Sequence, residues 1–572
     1  MKSVTPYLRK HFAKIYFALM SLVIFLPLLG RGYILTLDMI FTPNMHFPVS
    51  NFYGIFSETA RDALLHSVSQ IIPSDLVQKL LLLGIFFMIG YFMYRLLIGL
   101  TKRRKLFALT AATLYMWNPF TYTRLLAGHW AFLLGYALLP LFIIYVIKFY
   151  KTKQFSNHYL LIAALIWFVA TLTSVHHLIL MLIPVLSIGL IYLLTTKRWE
   201  RIIGRIVVLT LLILLFNSSW LLPSLFNGNA VTVGENNLLY FSPTPDIDFG
   251  LTFNLASFYG FWAEQNLGLL PKQLNGFWWL TSLVLMAVTV LPILKIALSW
   301  LFPKRVNGYK KSRFRLIVSL LLLSAVGIVL AHGSIGFMQQ FWNFFFNKIP
   351  ILQPFRETQK FLSLYIFGFA VLFFFGLHVI QSSIYALKKE RGYFAHTNTK
   401  IIYYLTSFLL LALVFFYTYT FPLGAAGQLK LSTYPESWQI LEETVSKSER
   451  LETILVLPWQ AYGDFSFIGR RTADPAPGFF SGYVVSEQIP SNLREEVECD
   501  VEFAGIRKLT ALGLCLNFDS SETDWIDQIK RNEIDYVVLN NLPGAETYGF
   551  LNDKEHFELL FSDEHALVYE VL

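Results

Sequence analysis

Apolar residues in this chain come in long runs, separated by two alternating kinds of connection. A run of about 20 apolar residues, wound as a helix at about 1.5 Å per residue, crosses the hydrocarbon of a bilayer. Eleven runs approach that length, near 13–31, 77–100, 106–119, 130–148, 159–175, 178–195, 203–222, 277–300, 314–331, 361–384 and 401–421. They predict eleven membrane-spanning helices. One set of connections concentrates Lys and Arg, as at Lys102 to Lys105, at Lys148, Lys151 and Lys153, at Lys197 to Arg205, at Lys304 to Arg315 and at Lys388 to Lys400. The alternate set is almost free of basic residues, apart from Arg31, Arg61, Arg124, Lys272, Lys348, Arg356 and Lys360. Basic loops stay on the cytoplasmic side. The alternation therefore predicts a cytoplasmic N-terminus and, with an odd number of spans, an extracytoplasmic C-terminal region.

After Phe421 the pattern changes. Short β-rich runs follow at Thr453 to Leu457, Asp535 to Leu539 and Ala566 to Val571, flanked by helical stretches at Glu436 to Val445 and Trp525 to Arg531. The expected architecture is mainly α: a multi-span membrane domain over residues 1–424, then a small extracytoplasmic α/β domain over residues 425–572. That second region is long enough to bury a core of its own.

Composition narrows the function. Hydrophobic residues make up 55% of the chain and charged residues only 15%, against about 25% charged in soluble proteins. The net charge of +9 does not imply nucleic acid, because the basic residues sit in short clusters that set topology. Two cysteines, Cys499 and Cys515, exclude a disulfide-rich scaffold and a Cys-based metal centre. On an oxidising outer face they can pair. The first apolar run lacks a small-residue cleavage site and reads as a span rather than a signal peptide. The inner loops are short, and no G-x-x-x-x-G-K-[ST] occurs, so nucleotide-driven chemistry is not expected. The longer, chemically mixed connections, 31–76, 118–130, 223–276 and 332–360, all face outside. Chemistry is expected there, driven by an already activated substrate or a gradient.

Those connections carry the candidate residues. Asp38 lies in an otherwise apolar stretch, Arg31 to Asn44. Ionised carboxylates avoid such settings unless something stabilises them. It caps a turn or pairs with Arg31 at the interface, or else it serves function. Residues 51–72 have apolar positions at helical spacing and predict an amphipathic helix in the interface plane. Arg124 and His129 flank a Gly among aromatics, where they either snorkel to lipid phosphate or bind substrate. His176 and His177 are adjacent at a tight turn, where neighbouring side chains on a helix diverge. One of the two is expected in a polar site. Asp246 and Asp248 form a D-x-D that reads as a solvated turn, and the aromatic string ending at Glu264 reads as a re-entrant or interface helix. Arg356, Glu357 and Lys360 are expected on one helical turn, where Arg and Lys suit a phosphate and Glu357 is their counter-ion. The loop-like string from Leu457 to Gly463, with Trp459 and Tyr462, is placed to cover a membrane site or bind glycan.

This layout resembles the GT-C superfamily of polytopic glycosyltransferases, with one span, a long outer loop bearing an early acidic residue, further spans and an outer domain. Three strings carry the resemblance further: Asn118-Pro-Phe-Thr-Tyr-Thr-Arg124, Asn217-Ser-Ser-Trp220-Leu-Leu-Pro223 and Pro354-Phe-Arg356-Glu357-Thr-Gln-Lys360-Phe361. They look like signatures of large bacterial and archaeal members, the arabinofuranosyltransferase branch being the nearest. The resemblance covers residues 10–420 in layout. It implies transfer of a sugar from a polyprenyl-phosphate-linked donor to a glycan, lipid or protein acceptor, with Asp38 as the catalytic or metal-binding carboxylate. No second acidic residue adjoins Asp38, so no cofactor is assigned and a divalent metal ion is left open. The expected partners are membrane lipid, the lipid-linked donor and the acceptor, and not nucleic acid. On the residues themselves, Asp38 is the candidate general base, Arg124, Arg356 and Lys360 the phosphate holders, and His129, His176 and Glu264 the lining of a sugar pocket. Two rival functions are a lipid or glycan transporter, which needs ionisable groups near the midplane, and a non-enzymatic envelope assembly protein.

Overall fold

Helices occupy every one of the eleven apolar runs. The computed structural model of the protein describes residues 4–46, 58–101, 104–196, 199–226, 235–264, 270–302, 311–391, 399–487 and 522–572. Among the described residues, eight helices are long and apolar enough to cross a membrane: His11–Leu28, Ser74–Leu100, Trp130–Lys151, His177–Thr195, Trp278–Leu301, Arg313–Ala331, Thr358–Ala386 and Ile401–Gly427. The chain is a multi-pass membrane protein. Three of the eleven runs form helices that fall short of that measure. Lys105–Met116 has 12 residues, Asn157–Thr173 has 17, and Trp199–Phe216 carries Glu200, Arg201 and Arg205. The shortest of them shows why sequence misleads. Every residue from Phe107 to Met116 is buried, so this helix is apolar all round because protein, not lipid, surrounds it.

The predicted amphipathic helix is helical at Thr59–Ser69, and residues 51–57 of that stretch lie outside the described residues. Cys499 and Cys515 also lie outside them.

A second layer of structure follows the spans. Strands β1 (Tyr33–Ile34) and β2 (Leu431–Ser432) form an antiparallel pair. β3 (Thr453–Leu457), β6 (Tyr483–Val485), β7 (Tyr536–Asn540), β8 (Phe557–Ser562) and β9 (Ala566–Val571) form a five-stranded sheet in the order β6-β3-β7-β9-β8. The pairs β3–β6 and β3–β7 are parallel, and β9 runs antiparallel to β7 and β8. Side chains alternate across a strand, and both faces of β3 are buried. Ile454 and Val456 pack with Trp438 and Leu441 of the helix Glu436–Val445. Leu455 and Leu457 pack with Trp525 and Ile529 of the helix Glu522–Arg531. The result is a three-layer α/β unit. A short hairpin, β4 (Tyr462–Gly463) with β5 (Thr472–Ala473), extends from it.

The first long connection runs between the spans and this unit. Ile34, Met39 and Phe41 pack into the helical core, while Leu35 packs into the sheet-side core. β1 pairs with β2, Tyr434 donates its hydroxyl to the Phe41 carbonyl at 2.8 Å, and Leu37 bonds Arg471 and Ala473 through its backbone. The loop that carries Asp38 is therefore held from both sides.

Candidate functional site

Asp38 sits on a tight turn. The Thr36 and Met39 backbones bond each other reciprocally, and the Asp38 amide donates to the Ala127 carbonyl at 3.2 Å. The Thr36 hydroxyl donates to the Leu126 carbonyl at 2.6 Å. The receiving surface is the end of the helix Pro119–Leu126, and Asn118 builds it. The Asn118 amide nitrogen donates to the Leu114 and Tyr115 carbonyls, closing the helix before it. Its oxygen accepts from the Thr121 amide, and Pro119 fills the first helical position, where a missing N–H costs nothing. Gly128 then turns the chain at φ +77, and a Cβ there would stand 2.2 Å from the Met39 amide nitrogen. Only glycine lets the two segments approach this closely.

From Asp38 a line of contacts leads inward. The Tyr462 hydroxyl on β4 donates to Asp38 Oδ1 at 2.8 Å, and His129 Nε2 lies 2.9 Å from Oδ2. His129 Nδ1 lies 3.0 Å from Arg124 Nη1. A guanidinium can only donate, so Nδ1 accepts and the ring proton sits on Nε2, aimed at Asp38. The same Arg124 Nη1 donates to Glu357 Oε2 at 2.8 Å. Glu357 Oε1 accepts from Trp262 Nε1 at 3.1 Å, and Lys360 Nζ lies 3.2 Å from Oε2. His176 completes the line, with Nε2 2.7 Å from the Pro354 carbonyl and Nδ1 2.7 Å from the Ser174 hydroxyl. A carbonyl at that distance requires the proton on Nε2. The Lys360 ammonium, 3.0 Å from the same nitrogen, is thus an electrostatic neighbour rather than a donor to it.

Exposure divides these residues into two tiers. The Asp38 side chain is 40% exposed, whereas Arg124 is 1% and Glu357 8% exposed. Arg124 lies over the rings of Phe120, Phe132 and Phe261, the last at 4.7 Å. It therefore stands behind His129 and faces no opening. Arg356 is half-buried, with its guanidinium 4.5 Å above the Phe241 ring. Among the described residues it makes no hydrogen bond, which leaves its fork open.

No protein-family model matches the chain, and comparison with curated proteins gives no match. Solved structures do match. The arabinofuranosyltransferase AftD from Mycobacteria aligns over 98% of this chain and 40% of its own, at 11% identity and a TM-score of 0.57. A mutant form of that protein aligns at 12% identity with a TM-score of 0.54, covering 98% and 41%. The Archaeoglobus fulgidus oligosaccharyltransferase aligns at 12% identity with a TM-score of 0.39, covering 92% and 65%. The chain shares the fold of the mycobacterial arabinofuranosyltransferase. It spans about 40% of the length of the mycobacterial enzyme it matches.

The other predicted residues fall in different places. Glu264 turns away from the line. It accepts from the Gly260 amide at 2.7 Å and from Lys272 at 3.0 Å, and Lys272 also pairs with Asp246. This is a bracing cluster for the connection 223–276. Asp246 Oδ1 caps the Asp248 and Phe249 amides at 3.0 Å each, which makes the D-x-D a turn. The aromatic string before Glu264 is helical only over Gly250–Ala256, not through Glu264 as expected. The expected single turn bearing Arg356, Glu357 and Lys360 is also corrected. Glu357 has ψ +78, between the 3-10 segments Pro350–Arg356 and Thr358–Phe361. The break turns its carboxylate toward Arg124. His177 points away, with Nδ1 3.3 Å from the Ser174 carbonyl and its ring against Phe132, so of the two histidines only His176 reaches the line.

Electrostatics follow from burial. Burial alone would raise the Glu357 carboxyl, but Lys360, Arg124 and Arg356 beside it hold it well below the usual range. Burial, then Lys360, pushes His176 well below the ordinary imidazole value, so its ring is neutral. Burial and the Asp38 charge push Tyr462 far above the usual phenol value, which keeps its hydroxyl a donor. The sequence places Tyr462 in a loop expected to cover a membrane site, but not as a partner of Asp38. Its one signal was the aromatic loop string around it. Among the described residues, the three side chains placed to share a metal ion are Asp553, Glu555 and His556, on the sheet unit and far along the chain from Asp38.

Proposed function

We propose that the protein is a membrane glycosyltransferase of GT-C type that moves a sugar from a polyprenyl-phosphate donor to a glycan, lipid or protein acceptor on the extracytoplasmic face. The observation that carries this reading is Asp38 itself, an exposed carboxylate oriented by His129 and Tyr462 on the face opposite the basic loops. Each of its oxygens accepts one hydrogen bond and keeps a lone pair for an incoming hydroxyl. In the proposed step, the acceptor hydroxyl gives its proton to Asp38 as its oxygen bonds the anomeric carbon. The bond from that carbon to the phosphate oxygen breaks, and polyprenyl phosphate leaves with the electron pair. Arg356 and Lys360 meet the phosphate charge. Arg124 and Glu357 act as positioning residues through His129.

The reading assigns no metal ligand beyond Asp38. Of the two carboxylates in the line, Glu357 is already committed to Arg124, Lys360 and Trp262. Topology follows the basic loops, with the N-terminus in the cytoplasm and the sheet unit outside.

The test is lipid-linked and surface glycan profiling with Asp38→Asn and Asp38→Ala in membrane-inserted protein. Removing a general base costs about 10²–10⁴-fold in rate, and a loss of that size is expected. Undiminished transfer by a correctly inserted Asp38→Ala protein would remove Asp38 from the chemistry.

A further inference from the structure

At the other end of the helical bundle lies a cavity of about 240 Å³, lined by Tyr150, Lys151, Lys153, Tyr192, Arg201 and Arg315 among others. The helix Trp130–Lys151 begins beside His129 and ends at this cavity. Its 22 residues place the two sites about 33 Å apart along its axis, close to a bilayer thickness. The cavity therefore belongs to the basic face, away from the Asp38 site.

Three observations make it a built anion site rather than a chance cluster of lysines. First, the floor is rigid. Arg205, 2% exposed, donates to the carbonyls of Phe149, Tyr150, Thr152 and Gln154. It thereby satisfies the carbonyls at the end of the helix and fixes the loop that carries Lys153. Second, the wall is cationic without counter-ions. Among the described residues, none of Lys151, Lys153, Arg201 and Arg315 is ion-paired to a carboxylate. Arg315 donates to the Thr195 carbonyl and lies against the Tyr192 ring. Third, among the described residues, the Thr196 hydroxyl and Arg315 Nε are buried there without a hydrogen-bond partner. Buried polar atoms are normally satisfied, so a ligand oxygen has donors waiting for it.

We propose that this cavity binds the phosphate of an anionic ligand at the basic membrane face. Arginine forks and lysine charges together suit a tetrahedral oxyanion. The cavity has room for a phosphate with a small substituent. The mouth lies between helix ends whose neighbouring side chains Leu194, Trp199 and Ile203 are 73%, 56% and 42% exposed. Exposed Leu and Trp at a helix end mark headgroup depth, which favours an anionic phospholipid headgroup over a soluble phosphate as the source.

The experiment is native mass spectrometry of the full chain in detergent, titrated with phosphatidylglycerol, phosphatidylcholine or inorganic phosphate. Variants K151Q/R201Q and R201K are compared with the control K430Q/K447Q, which removes the same charge from the opposite face. Thermal melting verifies that each variant is folded. The expected result is a retained phosphatidylglycerol, at least tenfold weaker in K151Q/R201Q and unchanged in R201K and the control. Binding of inorganic phosphate with no lipid preference, lost in the same variant, supports the phosphate site and assigns it to a soluble ligand. Equal retention of the two lipids without phosphate binding, or equal weakening by the control, overturns the proposal. Asp38 plays no part in this assay, so its outcome is independent of the transfer reaction.

Discussion

Arg124 Nη1 lies 2.8 Å from Glu357 Oε2, an ion pair joining the connections 118–130 and 332–360 with both side chains shielded from water. Removing one partner of a buried pair leaves an uncompensated charge and costs about 3–5 kcal/mol. Glu357→Gln would strand Arg124 and Lys360 together. A marked drop in melting temperature of the purified protein in detergent is expected for Glu357→Gln and for Arg124→Met. The double variant should lose less than the sum of the two, because it also removes the desolvation cost. Strict additivity would show that the pair contributes no coupling.

Tyr462 reaches Asp38 from a different domain layer, on a hairpin of the sheet unit. Tyr462→Phe keeps the ring and removes the donor. A hydrogen bond to a charged group contributes about 1.5–3 kcal/mol, and 1.4 kcal/mol is a factor of about ten. Transfer is expected to slow at least about tenfold with the fold intact, less than in Asp38→Asn. Rates of Tyr462→Phe equal to those of the unaltered protein would make the hairpin contact structural only.

Much of the architecture was legible in the sequence because it is written in local patterns. The run Thr453 to Leu457 is β-branched and apolar on both faces, and it forms a doubly covered strand. The long apolar runs form the spans. Run length fails for Lys105–Met116, where hydrophobicity reports burial in protein rather than in lipid. Candidate residues were visible one at a time, as charges out of place near membrane ends. Their convergence was not. Asp38, His129, Arg124 and Glu357 meet across contacts separated by 91 and 233 positions, and no periodicity encodes such pairings. Glu264 was expected to line a sugar pocket, yet Lys272 claims it. Tyr462 was noticed only as part of an aromatic loop, because nothing local ties it to a residue 424 positions away.

Gly128 fixes the Asp38 turn by what it lacks. Its φ is +77, and a Cβ added there would come within 2.2 Å of the Met39 amide nitrogen, so Gly128→Ala forces the two backbones apart. The strained φ alone costs about 1 kcal/mol or more, and the clash adds to it. Expression of a folded protein with lowered melting temperature and reduced transfer is expected, since the Asp38–His129 contact depends on this approach. A Gly128→Ala protein as stable and active as its parent would contradict the geometry of the turn.

The hairpin that carries Tyr462 also has a titrating anchor. Asp474 follows β5, and its Oδ1 accepts from the Ala476 amide at 3.0 Å while its own amide bonds the Ala461 carbonyl. Burial raises its carboxyl to about 6, against about 3.9 in an unfolded chain. Between those values the folded state holds a proton that the unfolded state has released. The stabilisation from the protonated carboxyl is thus complete below about pH 4 and is lost as pH rises through about 6. Above that, a charged carboxylate is held in a poorly solvated place. Asp474→Asn keeps an acceptor for the Ala476 amide and removes the charge. It should raise the melting temperature at pH 8, by the equivalent of on the order of 1–2 kcal/mol, and change it little at pH 4. Melting curves of the parent and Asp474→Asn proteins across pH 4–8 provide the check. Parallel profiles would mean that Asp474 titrates alike in the folded and unfolded chain.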